Sequence, residues 1–161
     1  MEAIEKKLGP LIDNYIQKSG ERDAKIGEWS KENEDFKNTF NQLVETVIRP
    51  EMYKVYQLLD NKGFKSSIFH ESGHQVGSIV GLIGLSLSYK DSSNEFVPSM
   101  FPTLRVGIKL PERKVFISES KFDASGFGCT TLEGTYEIDE ITRTFVIEKL
   151  SNFFNTLFTA E

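Results

Sequence analysis

The spacing of apolar residues changes twice along this chain, from a helical period to an alternating one and back. Through residues 1–60, apolar and aromatic side chains recur every three or four positions, which is typical of amphipathic helices. From 65 to 139 apolar and polar residues alternate, as they do in antiparallel strands with one buried face. After Glu140 the helical period returns. The pattern predicts an α+β fold of N-terminal helices, an antiparallel meander of about five strands and a C-terminal helix packed on the sheet.

The N-terminal helical segment has an apolar face that is interrupted at a few positions. Lys18, Arg22 and Asn33 lie where the apolar spacing would continue. As one straight helix, residues 10–48 would extend ~58 Å at 1.5 Å per residue, beyond the core of a small domain. We therefore expect this segment to bend back or to pair with another chain. The residues that share the face are Ile4, Leu8, Leu11, Tyr15, Ile26, Trp29, Phe36, Phe40, Leu43 and Val47.

Two prolines predict boundaries within the helical segment. Pro10 suits the first turn of a helix better than its interior, which predicts a break after Gly9. Pro50 predicts a second boundary, because proline disfavours helical geometry at the residue before it. The next helix is expected from about Glu51 to Asn61, with Gly63 placed to end it.

The alternating segment predicts five strands. One face of the second strand carries Ile83, Leu85 and Leu87, whereas its other face carries only small residues, which predicts a closely packed backbone or helix against it. Irregular connections are expected at 91–102 and 123–130. The predicted strands are 65–71, 80–89, 104–110, 114–122 and 132–138.

The C-terminal segment predicts one amphipathic helix that begins after Thr142, a suitable N-cap residue. Its broad apolar face is expected to lie on the sheet or on another subunit. We interpret the chain as one domain, 1–161, made of a helical arm (1–62), a sheet (64–139) and the C-terminal helix (140–159). The helix face consists of Val146, Leu150, Phe153, Phe154, Leu157 and Phe158.

One short motif is typical of enzymes. Residues 70–74 read H-E-x-x-H and contain both histidines of the chain, a pattern that resembles the zinc-peptidase motif. In that motif His70 and His74 would be metal ligands one helical turn apart, and Glu71 would be the general base. In a strand, residues four apart are roughly 13 Å apart and cannot share one ion. If Ser72-Gly73 form a hairpin turn, His70 and Glu71 point to opposite faces.

The flanking sequence favours the strand or turn over the helix. Several glycines and serines surround the motif, and each glycine inside a helix costs ~1 kcal/mol relative to alanine. The extended form of the motif would need a third histidine at position 80, where this chain has Val80. Glutamates are available as a third ligand, but none lies in a downstream helical segment. They are Glu95, Glu112, Glu119 and Glu133. The sequence therefore predicts no metal and no cofactor, with the zinc site kept as an alternative.

Other candidate chemistry is sparse. Cys129 is the only cysteine, and without a base in the local sequence it is interpreted as a turn or strand residue and not as a nucleophile. Glu137, Asp139 and Glu140 form an acidic cluster that could hold a cation or do acid–base work. Before a helix the same residues oppose the helix dipole favourably, which is the interpretation preferred here. Phosphate-binding, dinucleotide-binding and serine-hydrolase motifs do not occur.

Composition indicates an ordinary globular protein. Of its 161 residues 39% are hydrophobic and 27% charged, and thirteen phenylalanines supply material for a core. The net charge is −5, and neither half of the chain is basic, which argues against nucleic acid or an anionic membrane surface as a partner. One cysteine and a charged N-terminus predict a cytoplasmic protein.

These observations favour a non-enzymatic assembly or protein-binding module over an enzyme. The expected contact surface is the helical segment 10–48, through which the chain would form a homo-oligomer or bind a protein partner. The first alternative is a binder of a small apolar ligand enclosed by the sheet and the C-terminal helix. The second alternative is the zinc-dependent hydrolase of residues 70–74.

Overall fold

The computed structural model describes residues 2–76, 79–88, 101–110, 112–122 and 128–159. Of these, it gives the backbone alone at 2–7, 72–76, 88, 122, 128 and 129. The element order is helix α1 (Glu2–Leu43), a π-helical turn (Val44–Ile48), helix α2 (Arg49–Asn61), strands β1 (Lys65–Val76), β2 (Ile79–Ser88), β3 (Thr103–Lys109), β4 (Lys114–Phe122) and β5 (Gly128–Tyr136), a 3-10 turn (Ile138–Glu140) and helix α3 (Arg143–Thr159). The predicted α+β fold is confirmed.

The chain divides into two compact units, Met1–Phe36 and Lys37–Glu161. The first consists of most of α1, and the second holds the end of α1 and every later element.

The predicted break after Gly9 is wrong, because α1 continues through Pro10. Proline inside a helix removes one hydrogen bond and crowds the carbonyl four residues before it, and the remaining bonds of the long helix tolerate that loss.

The helix is not interrupted at Pro50 as predicted, because Arg49 before it keeps helical geometry, and a π-helical turn directly precedes α2 instead. Pro50 cannot donate a hydrogen bond to the carbonyl of Thr46, and a wider turn relieves the clash that its ring would cause. At its other end, α2 finishes at Asn61, and Gly63 two residues later has a left-handed φ of 80°. The amides of Gly63 and Phe64 donate to the carbonyls of Asp60 and Leu59 at 2.8 and 3.0 Å, which is a Schellman motif.

The five strands form one antiparallel sheet in the order β1-β2-β3-β4-β5, a meander as predicted. The strand predicted at 80–89 extends to Tyr89, which lies outside the described residues, as do most of the predicted connections 91–102 and 123–130. The strand bounds otherwise differ from the predicted ones by only a few residues. The largest differences are at the outer strands, since β1 continues to Val76 and β5 begins at Gly128.

The core of the second unit lies between one face of the sheet and the helices. Large apolar residues of the central strands are buried together with residues of α1, the π-turn, α2 and α3. The buried set includes Phe40, Val44, Ile48, Met52, Leu59, Ile83, Leu85, Leu104, Val106, Ile117, Leu150 and Phe153.

Helix α3 also reaches β5, where Lys149 donates to Glu133 at 2.6 Å and to Tyr136 at 3.0 Å. Burial lowers the pKa of Lys149, and these two hydrogen bonds more than offset it, so that the pKa is raised.

The small residues of β2 make room for an aromatic ring, where the sequence predicted a backbone or a helix. Gly84 pairs with Phe69 of β1, and a methyl group at Gly84 would be 2.3 Å from the tip of that ring. Gly107 of β3 is covered in the same way by Phe116 of β4. Phenylalanine rings therefore lie directly on glycines across two strand pairs and fix the strand register there.

Candidate functional site

The H-E-x-x-H segment lies in strand β1 and not in a helix. Pairing with β2 places His70 opposite Ile83 and Glu71 opposite Leu82, then resumes at Gln75 after an irregularity. The strand continues to Val76, so Ser72-Gly73 do not form a hairpin turn. Because successive residues of a strand point to opposite faces, His70 and Glu71 do not converge on one site. The side chain of His74 lies outside the described residues.

The His70 ring is hydrogen-bonded to the guanidinium of Arg49. Its Nδ1 accepts a hydrogen bond from Nη2 of Arg49 at 2.9 Å, and Arg49 is also paired with Glu45 at 3.0 Å. Burial lowers the pKa of His70, the Arg49 guanidinium lowers it further, and Glu45 partly opposes both. The Nε2 atom is buried and has no hydrogen-bond partner in the described part of the chain. A guanidinium this close to the ring repels a divalent metal, so the surroundings of His70 do not fit zinc ligation.

The glutamates considered as a third ligand are separated from His70 or paired elsewhere. Glu119 is 2.8 Å from Lys121, and Glu133 is 2.6 Å from Lys149. Glu112 lies in the turn before β4, and Glu95 lies outside the described residues. Within the described ranges, no group of three histidine, cysteine, aspartate or glutamate residues is arranged to hold a metal ion.

The acidic cluster after β5 has a capping role. Glu137 and Glu140 form a capping box at the 3-10 turn, in which Glu140 accepts a hydrogen bond from the backbone amide of Glu137 at 2.7 Å. Glu137 also pairs with Lys114. Thr142 then caps α3 as predicted, accepting from the amide of Phe145 at 3.2 Å. The carboxylates of Glu137 and Glu140 are therefore used in the chain reversal between β5 and α3. The side chain of Cys129 lies outside the described residues.

A concave apolar site opens between helices α2 and α3, within the second unit. It encloses about 470 Å³, which lies in the range of small-molecule sites. Its walls are mostly aliphatic and aromatic side chains, with the charged pair Glu51 and Lys54 at the end where α2 begins. The lining residues are Glu51, Lys54, Val55, Leu58, Leu59, Ile147, Leu150, Ser151, Phe154 and Phe158. Three of them, Leu58, Ile147 and Phe158, are exposed large apolar residues.

The polar end of this pocket is built on Glu51, whose side chain is only 3% exposed. Lys54 Nζ donates to its two carboxylate oxygens at 2.8 and 3.0 Å, and Arg143 Nε lies 3.0 Å from the first of them. Arg143 belongs to α3, so this ion pair ties the first turns of α2 and α3 together. A buried carboxylate is stable in such a position only when cations and hydrogen bonds replace its water.

Sequence reasoning did not identify Glu51, Lys54 and Arg143. A signal was present, because Glu51 precedes Val55 by four residues and Leu58 by seven, and therefore lies on the apolar side of its helix. A charged residue on an apolar stripe indicates a partner from another element. The identity of that partner is not local, because Arg143 lies more than ninety residues further along the chain.

The second notable surface is the apolar face of α1 within the first unit. Seven large apolar side chains between residues 8 and 29 are 47–68% exposed. They recur with helical spacing, and the surrounding residues of this stretch are exposed too. They are Leu8, Leu11, Ile12, Tyr15, Ile16, Ile26 and Trp29. Exposed large apolar side chains in this number on one helix are typical of an interaction site.

No family model, curated protein or solved structure matches the chain. The helices within the described ranges contain no apolar stretch that could cross a membrane.

Proposed function

We propose that this protein is a self-associating module, and that two copies pair through residues 8–29 of α1. The observation that carries the proposal is the row of seven exposed apolar side chains on that helix. An aromatic side chain buries 150–250 Å² when fully covered, so Tyr15 and Trp29 alone leave roughly 250 Å² per copy to be removed from water. A second copy presents the same surface, which makes the contact self-complementary.

The spacing of these residues fits a two-stranded coiled coil. Leu8, Tyr15, Arg22 and Trp29 lie seven residues apart, and Ile12, Ser19 and Ile26 form the second row, four residues after each of the first three. The two rows correspond to the d and a positions of a heptad repeat, which face the partner helix. Five of the seven positions are large and apolar.

The flanking positions favour a parallel arrangement. In a parallel pair each g position meets the e position five residues later on the partner. Leu11 then meets Ile16, and Lys18 meets Asp23. In an antiparallel pair g positions meet g positions and e positions meet e positions, which would place Lys18 beside Lys25 and Ile16 beside Asp23. The parallel register therefore joins opposite charges and apolar side chains, whereas the antiparallel one joins like charges and unlike side chains.

Ser19 and Arg22 are the polar members of the two rows. The aliphatic stem of an arginine can follow the seam while its guanidinium stays in water, but it contributes less than leucine and repels its own copy. Polar residues at such positions specify register at a cost in stability. We therefore infer a reversible pair and not a permanent one. The single cysteine supports the proposed cytoplasmic location.

Sedimentation equilibrium of the full chain over a wide concentration range tests the proposal. Trp29 is the only tryptophan and lies in the proposed seam, so a shift of its fluorescence to shorter wavelength should accompany association. A monomer at high micromolar concentration, with unchanged Trp29 emission on dilution, would rule the proposal out.

Orientation is tested separately by cysteine cross-linking. The variant Ile12→Cys, in a Cys129→Ser background, places a thiol near one end of the segment. In a parallel in-register pair the two thiols face each other and oxidise to a covalent dimer, which requires Cα atoms within about 7 Å. In an antiparallel pair residue 12 lies near residue 26 of the partner. A matched variant, Asn14→Cys on the outer face, should not cross-link under the same conditions.

A further inference from the structure

We propose that the pocket between α2 and α3 binds a single-chain anionic amphiphile, an alkyl chain that ends in a carboxylate. The chain would lie against the apolar walls, and the carboxylate would sit at the end where Lys54 lines the pocket and Arg143 pairs with Glu51. This inference does not depend on self-association through α1, because every residue of the pocket belongs to α2 or α3.

The shape and lining of the pocket fit an alkyl chain. A volume of about 470 Å³ has room for about fifteen groups the size of a water molecule at roughly 30 Å³ each. Apart from Glu51, Lys54 and Ser151, its lining consists of aliphatic and aromatic side chains. Leu58 and Phe158 are more than half exposed and border the opening, so an alkyl chain would cover apolar surface that otherwise faces water.

The charges at the polar end fit a monoanion. Lys54 and Arg143 share one carboxylate, that of Glu51, which leaves one positive charge uncompensated within the trio. The side chains of Lys54 and Arg143 are 62% and 65% exposed, so each has donors directed away from Glu51. Arg143 also begins α3, and the positive end of the helix dipole lies beside the same site. Glu51 thus holds the two cations in place, and the ligand would complete their coordination.

The head group distinguishes this proposal from plain apolar binding. Myristate and 1-tetradecanol have the same chain length, but only myristate is charged at neutral pH. Titration calorimetry of the full chain with each, below the micelle concentration, should show myristate binding roughly tenfold or more tightly, the range expected for a charge-assisted contact. Decanoate should bind more weakly than myristate, by up to about fourfold for each methylene removed.

Two substitutions locate the site. Leu58→Glu places a negative charge at the opening and should abolish myristate binding, whereas Leu132→Glu, at a similarly exposed position on β5, should leave it unchanged. Arg143→Gln should remove the preference for myristate over 1-tetradecanol, and Arg143→Lys should keep it. Thermal melts followed by circular dichroism check that each variant is folded. If Arg143→Gln does not fold, the proposal is still tested by myristate against 1-tetradecanol and by Leu58→Glu against its control Leu132→Glu.

The proposal is overturned if myristate does not bind, if 1-tetradecanol binds equally well, or if Leu58→Glu leaves binding intact. It is also overturned if Leu58→Glu abolishes self-association instead, since the pocket would then receive a second copy of the chain. Myristate binding that is selective for the charged head group and lost in Leu58→Glu supports it.

Discussion

The substitution Ile26→Ala tests the proposed pairing most directly, because Ile26 lies in the seam but contributes little to the folded protomer. Its side chain is 53% exposed. Complete burial of an isoleucine contributes about 1.5–3 kcal/mol, so covering the exposed half contributes roughly 0.8–1.6 kcal/mol per copy. Both copies lose it, and the pair should weaken by roughly 1.6–3.2 kcal/mol, or about 15- to 200-fold in Kd.

The protomer itself should be unaffected. Substitutions of exposed residues usually change the free energy of unfolding by less than about 0.5 kcal/mol, and alanine is a slightly better helix former than isoleucine. Asn14→Ala is the matched control, because it gains similar helix propensity on the outer side of the same helix. Sedimentation equilibrium, with Trp29 emission as a second signal, measures both variants against the parent chain.

The contrast between the two variants decides the question. Weaker association of Ile26→Ala with an unchanged Asn14→Ala supports the seam. Equal dissociation constants for all three proteins would refute the reasoning, since no contact then depends on the side chain of Ile26. Equal weakening of both variants would also refute it, because the effect would come from the helix and not from one face.

Three further predictions concern the seam, the half-buried His70 and the sheet. Arg22→Leu should tighten association at least tenfold, because a polar seam residue becomes apolar, and the same sedimentation assay measures it. The lowered pKa of His70 means that the folded chain binds a proton less readily than the unfolded chain, so stability should fall as pH drops below the ordinary value of 6.5. Urea unfolding at several pH values should show that His70→Gln removes this part of the pH dependence, and an identical profile would contradict it. Gly84→Ala should cost about 1–3 kcal/mol in the same urea assay because its methyl group meets the Phe69 ring, whereas Gly27→Ala, with open space around it, should stabilise by up to about 1 kcal/mol.

Much of the fold could be predicted because the signals that define its elements are local. Period two identified all five strands, and Thr142 and Gly63 marked helix ends through contacts with residues only a few positions away. The break after Gly9 was wrong because proline is a weak local signal, and the hydrogen bonds of a long helix can outweigh its cost.

In the candidate sites too, the features that depend on local sequence could be predicted and those that depend on distant contacts could not. The apolar row of α1 was visible in the sequence, since it depends only on helical spacing, but its exposure was not. The amino-acid pattern also favoured a strand or turn over a helix at residues 70–74, and the backbone there is a strand. The hydrogen bond from Arg49 to His70 could not be predicted from the sequence, because it depends on how α2 lies against β1.

The sequence by itself determined most of the helix and strand segments and the apolar face of α1, because each follows from spacing within one segment. The succession of five strands without a helix between them indicated the meander. Tertiary structure alone decided that Phe69 covers Gly84, that Glu51 is buried between Lys54 and Arg143, and that a pocket opens between α2 and α3. These features depend on strand register and on the packing of elements far apart in the chain. Local periodicity carries no information about such distances, whereas close packing in the folded protein fixes them.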